Sequence, residues 1–163
     1  MPDKETIERA HQDAAQGKSA STQAGEFVRE EMHHIREGKH GARSPKQAIA
    51  IGLSKARRSG VKLGAPKRGT TSAATRRKAA KDLRRGRSRR RPSARRSRAV
   101  RGALRREPRS SASRKELGRQ AHRAAMRRGR RARSAAAKKA VRTKGPARRR
   151  AAARKAARTR KSH

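Results

Sequence analysis

Arginine clusters dominate the groups in this chain that can engage a ligand. Arg89-Arg90-Arg91, Arg127-Arg128-Gly129-Arg130-Arg131 and Arg148-Arg149-Arg150 set guanidinium groups side by side. The guanidinium fork matches two phosphate oxygens at once. Shorter groups extend the set: Arg84-Arg85 with Arg87, Arg95-Arg96, Arg105-Arg106, Lys138-Lys139 and Arg154-Lys155. These 21 cations are the candidate nucleic-acid-binding residues. Residues 43–163 hold 46 Lys and Arg against 3 acidic residues, a net of +43. Duplex DNA carries one charge per ~1.7 Å, so that excess matches about 73 Å of duplex, roughly 21 base pairs.

Other chemistry has little to stand on. There is no cysteine, which excludes disulfides, thiolate–zinc sites and thiol catalysis. No Ser-His-Asp order, glycine-rich phosphate loop or pair of pocket carboxylates stands out, so the expectation is a non-enzymatic protein without a cofactor. His33 and His34 are adjacent, with Glu30, Glu37 and His40 close by. Neighbours on a helix point about 100° apart, and His33 with Glu37 offers two ligands where zinc needs three or four. The expectation there is a solvated polar face and no metal. No aromatic residue follows Phe27, which removes the stacking platforms of RNA-loop and single-strand readers.

The elements that must position these cations divide in two. Residues 1–42 carry 6 basic and 8 acidic residues, a net of −2. Of 17 large apolar residues in the chain, 11 lie in residues 1–63. The fold class expected is therefore mostly α: a small N-terminal module of three short helices over 1–63, a basic Gly/Ser/Pro-containing linker over 64–98, and an Arg/Ala-rich basic tail over 99–163. High net charge with few large apolar groups marks the tail as disordered or conditionally helical.

Within the module, a first helix is expected from about Asp3 to Gln16, with Asp3 as N-cap and Gly17 as the left-handed stop. A second is expected from about Thr22 to Glu37, capped by Ser21 or Thr22 and stopped by Gly38. Ala24, Phe27, Val28, Met32 and Ile35 share one face at helical spacing, with Glu31 at its edge. Ser44-Pro45-Lys46-Gln47 reads as a capping box with proline at the first helical position. Ala48, Ile49, Gly52, Leu53 and Ala56 form the stripe of that third helix. Gly52 allows close approach of another helix, and Gly60 ends the element. The second and third helices also admit a helix-turn-helix reading, with Lys46, Lys55, Arg57 and Arg58 toward a groove. Their connection is longer than the three or four residues usual in that motif. In the tail, about Ala94 to Arg106 and a stretch opening on Ser113-Arg114-Lys115-Glu116 form helix mainly when phosphates neutralise the arginines.

The segment from Glu26-Phe27 to Gly60, with Lys46, Gln47, Ala48, Ile49, Ala50, Ile51, Leu53, Ser54, Ala56 and Arg57 at its core, resembles a small bacterial family of unknown function. Some relatives carry the label plasmid-stabilisation protein. The resemblance implies no catalytic residues. In composition, the tail resembles bacterial histone-H1-like proteins rich in Ala, Lys and Arg.

The function expected is DNA binding by phosphate neutralisation, nucleoid- or plasmid-associated and cytoplasmic. No apolar run reaches the length of a membrane span. The N-terminal helices are expected to dimerise or recruit a protein partner. Two alternatives share the same charges: an RNA- or ribosome-associated factor, and a protein-interaction module whose tail tethers a polyanion.

Overall fold

A computed structural model describes residues 2–86, 88 and 93–161. Its described elements are seven α-helices and one 3₁₀ turn: α1 (Lys4–Ala15), α2 (Ala20–Arg36), α3 (Pro45–Arg58), α4 (Ala73–Gly86), α5 (Ala94–Arg105), the turn Arg109–Ala112, α6 (Arg114–Arg127) and α7 (Gly129–Lys161). The chain divides into two compact units, Met1–Gly118 and Arg119–His163.

In the first unit, α2 is the hub. It packs against α1 and α3, α3 packs against α4, and the 3₁₀ turn rests on α2 and α3. The apolar face of α2 splits between two clusters. Phe27 and Ala24 meet Ala10, Ala56 and Val61, with Ile7, Leu53 and Leu63 alongside. Met32 and Ile35 meet Ala42, Ala48 and Ala112, with Val28, Ile49 and Leu117 alongside. Phe27 and Ile35 are wholly buried. A Cβ on Gly52 would stand 2.7 Å from the Val28 Cα, so glycine is what lets α3 lie this close to α2.

The caps follow the sequence with three departures, the first being Asp3, which stands at the N-cap of α1 but makes no side-chain cap bond. Ser44 Oγ accepts from Gln47 N at 3.3 Å, and Gln47 Oε1 accepts from Arg43 N at 2.7 Å. The glutamine thus serves the residue before the cap, where a standard capping box serves the cap itself. Ser19, not Ser21 or Thr22, caps α2 by accepting from Thr22 N. Gly17, Gly38 and Gly60 follow α1, α2 and α3 at positive φ, as C′ glycines do.

A short helical module trailed by a long disordered or conditionally helical tail is not what the chain forms. Helix accounts for 77% of the described residues. Part of the reason is intrinsic. Ala, Arg and Lys are strong helix formers, and like-charge neighbours at i,i+4 cost only ~0.2–0.5 kcal/mol per pair. The rest is packing. Helix α4 starts where Ser72 Oγ accepts from Thr75 N at 3.2 Å. It buries Ala79 and Asp82, and Asp82 accepts a 2.8 Å hydrogen bond from Ser54 on α3. The end of α5 and the segment after it strap the end of α2 and the loop that follows it. Gly41 N donates to Leu104 O at 2.8 Å, Ala42 N to Pro108 O at 3.1 Å, and Arg36 Nε to Ala112 O at 3.0 Å. Ser113 Oγ then caps α6 by accepting from Glu116 N at 3.2 Å.

In the second unit, α7 is interrupted at Gly145 (φ 65°, ψ 171°), followed by Pro146. No described side chain of α7 is buried.

Candidate nucleic-acid interface

Not every cation is free to meet a ligand. Near the N-terminus most are already engaged. Arg9 Nε is 2.9 Å from Glu26 Oε2, Arg29 also reaches Glu26, and Lys18 meets Asp13 at 2.7 Å. Lys55 Nζ lies between Glu31 Oε2 at 2.7 Å and Glu30 Oε1 at 3.2 Å. The Glu31 contact is an ion pair lying off the line a hydrogen bond requires, since neither oxygen of Glu31 has a hydrogen-bond partner. Arg57 is buried and donates to the carbonyls of Leu63 at 3.0 Å and Gly64 at 3.3 Å. Burial pulls its pKa below the usual arginine value, with Asp82 acting weakly in the opposite direction. Lys55 and Arg57 therefore point inward. That leaves a helix-turn-helix reading of α2 and α3 with half of the cations it assigned to a groove.

The candidate cations behave differently. Arg84 and Arg85 lie in the last turn of α4, Arg95 and Arg96 in the first turn of α5, and Arg105 and Arg106 at its end. Arg127 closes α6, Arg128 links it to α7, and Arg130, Arg131, Lys138, Lys139, Arg148, Arg149, Arg150, Arg154 and Lys155 lie along α7. All seventeen are exposed, and among the described residues none is in an ion pair. Arg87, Arg89, Arg90 and Arg91 lie outside the described residues.

Helical spacing groups some of these and adds others that sequence clusters hid. On α5, Arg95, Arg98, Arg101 and Arg105 fall within about 120° of the helix circumference, and all are exposed. On the second half of α7, Ala147 and Ala151 begin an i,i+4 row that Lys155 continues, and Arg150, Arg154 and Arg158 form the neighbouring row. The small residues leave a shallow line beside these long side chains. Arg98, Arg101 and Arg158 sit outside any run of three basic residues. The signal that finds them is the 3.6-residue period, not adjacency. Helix α7 carries 15 basic and no acidic residues. At 1.5 Å per residue, its two straight halves present about one charge per 3 Å, half the linear density of duplex DNA.

A second constellation lies at the end of α2, where the sequence points to a solvated face. His33 and Glu37 do lie at the surface. Glu37 pairs with Lys39 at 3.0 Å, and that hydrogen bond holds its carboxyl below, and the Lys39 ammonium above, their usual values. Glu30, Glu31 and His34 are instead buried. His34 Nε2 is 3.2 Å from Asp3 Oδ2 and its Nδ1 is 3.7 Å from Glu30 Oε1. The loop after α2 returns His40, with Nε2 3.3 Å from Glu31 Oε1 and Nδ1 3.1 Å from the Gly41 carbonyl. One ligand atom from each of Glu31, His34 and His40 lies within 4.8 Å of the others, as does one from each of Asp3, Glu30 and His34. The i,i+4 pair Glu30/His34 is visible in the sequence. The return of His40 is not, because it depends on the strap that holds Gly41 and Ala42.

Residues 16–68, about a third of the chain, match the model of a family described as a family of unknown function (DUF6496). The match takes in α2, α3 and the irregular segment after them, and leaves α4 to α7 outside it. No curated protein and no solved structure matches the chain.

Proposed function

We propose that the protein binds DNA, without catalysis, by neutralising phosphates with guanidinium and ammonium groups displayed on helices. The observation that carries this reading is the contrast between the two sets of cations. Most of those near the N-terminus are engaged by carboxylates and carbonyls, whereas the seventeen described candidates are exposed and in no ion pair. A field of this size repels itself and calls for a polyanion. Association with the nucleoid or a plasmid follows from the same reading.

Structured RNA has the same phosphates and is the nearest rival. Base stacking is not a means of preferring it, since Phe27, the one aromatic residue, is wholly buried. A membrane partner has less support. No described helix is long and apolar enough to cross a bilayer, and exposed cations surround α7 without an apolar face to insert.

The test is a gel-shift salt titration of the full chain on a duplex DNA and on a structured RNA of equal charge. The expected result is a steep fall of log K with log salt on DNA, with scrambled duplexes bound equally. RNA bound more tightly at every salt concentration would move the assignment to RNA. A shallow slope on both would end the phosphate reading.

A further inference from the structure

The cluster at the end of α2 is unused by phosphate binding, and its hydrogen-bond accounting does not close. His34 Nε2 faces an Asp3 carboxylate oxygen, and His40 Nδ1 faces a backbone carbonyl. Carboxylates and carbonyls accept hydrogen bonds, so each of these ring nitrogens must carry its proton there. A neutral imidazole has one such proton. Nδ1 of His34 and Nε2 of His40 are therefore left as lone pairs, and both are turned toward buried carboxylates, Glu30 Oε1 at 3.7 Å and Glu31 Oε1 at 3.3 Å. Acceptor faces acceptor twice. Glu31 is wholly buried, and neither of its oxygens, nor Oε2 of Glu30, has a hydrogen-bond partner. Counting three carboxylates, Asp3, Glu30 and Glu31, against Lys55, the ammonium in ion-pair contact with two of them, the group carries a formal net of −2; Lys39, paired with Glu37, acts on Asp3 and Glu30 without an ion-pair contact. One divalent cation balances that formal net.

We propose that Glu31, Nδ1 of His34 and Nε2 of His40 bind a divalent transition-metal ion, zinc above all, with Glu30 as the neighbouring carboxylate. The donors are the imidazole and carboxylate set that zinc takes. Ligand atoms of a tetrahedral zinc with ~2.0–2.2 Å bonds lie about 3.4 Å apart; one ligand atom from each of the three residues already lies within 4.8 Å of the others, so closing on a metal takes small side-chain shifts. The outer contacts are those that metal-bound histidines use: the far N–H of one ring goes to a carboxylate and that of the other to a backbone carbonyl, which fixes both tautomers. Asp3 has this orienting role, and its side chain is more than half exposed. Lys55 stays as the counter-charge of Glu30. A metal here would tie the loop carrying His40 to α2, beside the strap from Leu104 and Pro108.

The test uses the full chain, stripped of metal and titrated with zinc chloride in a phosphate-free buffer by calorimetry. Cobalt(II) replaces zinc for visible absorption. The expected result is one ion per chain and a cobalt spectrum of four-coordinate type. Glu31→Gln and His40→Gln should each weaken zinc binding at least about tenfold, and His33→Gln should leave it unchanged. No saturable binding overturns the proposal. So does parent-like affinity in both site variants, or loss of affinity in His33→Gln. Should the site variants fail to fold, the ring ¹⁵N shifts of the parent decide. Under saturating zinc, the proposal requires metal at Nδ1 of His34 and Nε2 of His40, with the other nitrogen of each ring protonated. Two protons on each ring would show that imidazolium, not metal, answers the geometry, and the proposal would fall.

Discussion

Lys55→Met in metal-free buffer probes the energetics of the first unit most sharply. The ammonium lies 2.7 Å from Glu31 Oε2 and 3.2 Å from Glu30 Oε1. Side-chain exposure is 16% for Lys55, 3% for Glu30 and 0% for Glu31, so screening by water is weak on the carboxylate side. Removing one partner of a buried ion pair costs ~3–5 kcal/mol. Because Lys55 keeps some contact with water, the low end, about 3 kcal/mol, applies. At a urea dependence of ~1–3 kcal/mol per molar, the unfolding midpoint should fall by about 1–3 M. Far-UV circular dichroism during urea unfolding reads it. The triple variant Glu30→Gln, Glu31→Gln, Lys55→Met removes the charges together and should return to within about 1.5 kcal/mol of the parent, since the cost lies in leaving charges unpaired. A Lys55→Met protein within ~0.5 kcal/mol of the parent, an ordinary surface value, would refute the view that the two carboxylates depend on Lys55.

Other perturbations have defined signs. Gly52→Ala gains ~1 kcal/mol of helix propensity but sets a Cβ 2.7 Å from the Val28 Cα; overpacking costs ~1–3 kcal/mol, so the melting temperature should fall. Ser44→Ala removes the acceptor for Gln47 N and should cost ~0.5–2 kcal/mol by the same denaturation assay. The carboxyl of Glu37 is held below 4.5 by its hydrogen bond to Lys39. That pair therefore stabilises above the unfolded value and is lost as pH falls through the lower folded one. Both groups are fully exposed, so Glu37→Gln should leave melting curves at pH 3 and pH 7 superimposable on the parent's in physiological salt.

The first three helices are legible in the sequence because their signals are local. Ser44-Pro45 opens α3, Gly60 closes it, and Phe27, Met32 and Ile35 keep helical period on α2. Helix α4 and the 3₁₀ turn are hidden because they pack with small and polar residues. Ala79, Asp82, Ser111 and Ala112 are buried, yet none stands out in a search for apolar stripes. Composition also misleads about the tail: its net charge argues against order, while the alanines that separate the cations along α7 favour helix. Among the candidate cations, clusters in sequence are readable, but the face formed by Arg95, Arg98, Arg101 and Arg105 needs the helix first. The pairing of His40 with Glu31 rests on backbone bonds from residues more than sixty positions away, and no local spacing records it.

In the proposed mode of binding, exposed helical cations neutralise phosphates. Its most direct test replaces Arg148, Arg149, Arg150, Arg154 and Lys155 with glutamine in the full chain and measures the slope of log K against log salt on duplex DNA. Every phosphate that a replaced side chain no longer neutralises should reduce the slope by about 0.9, up to about 4.5 for all five, with helix content unchanged. A slope equal to the parent's would contradict that mode.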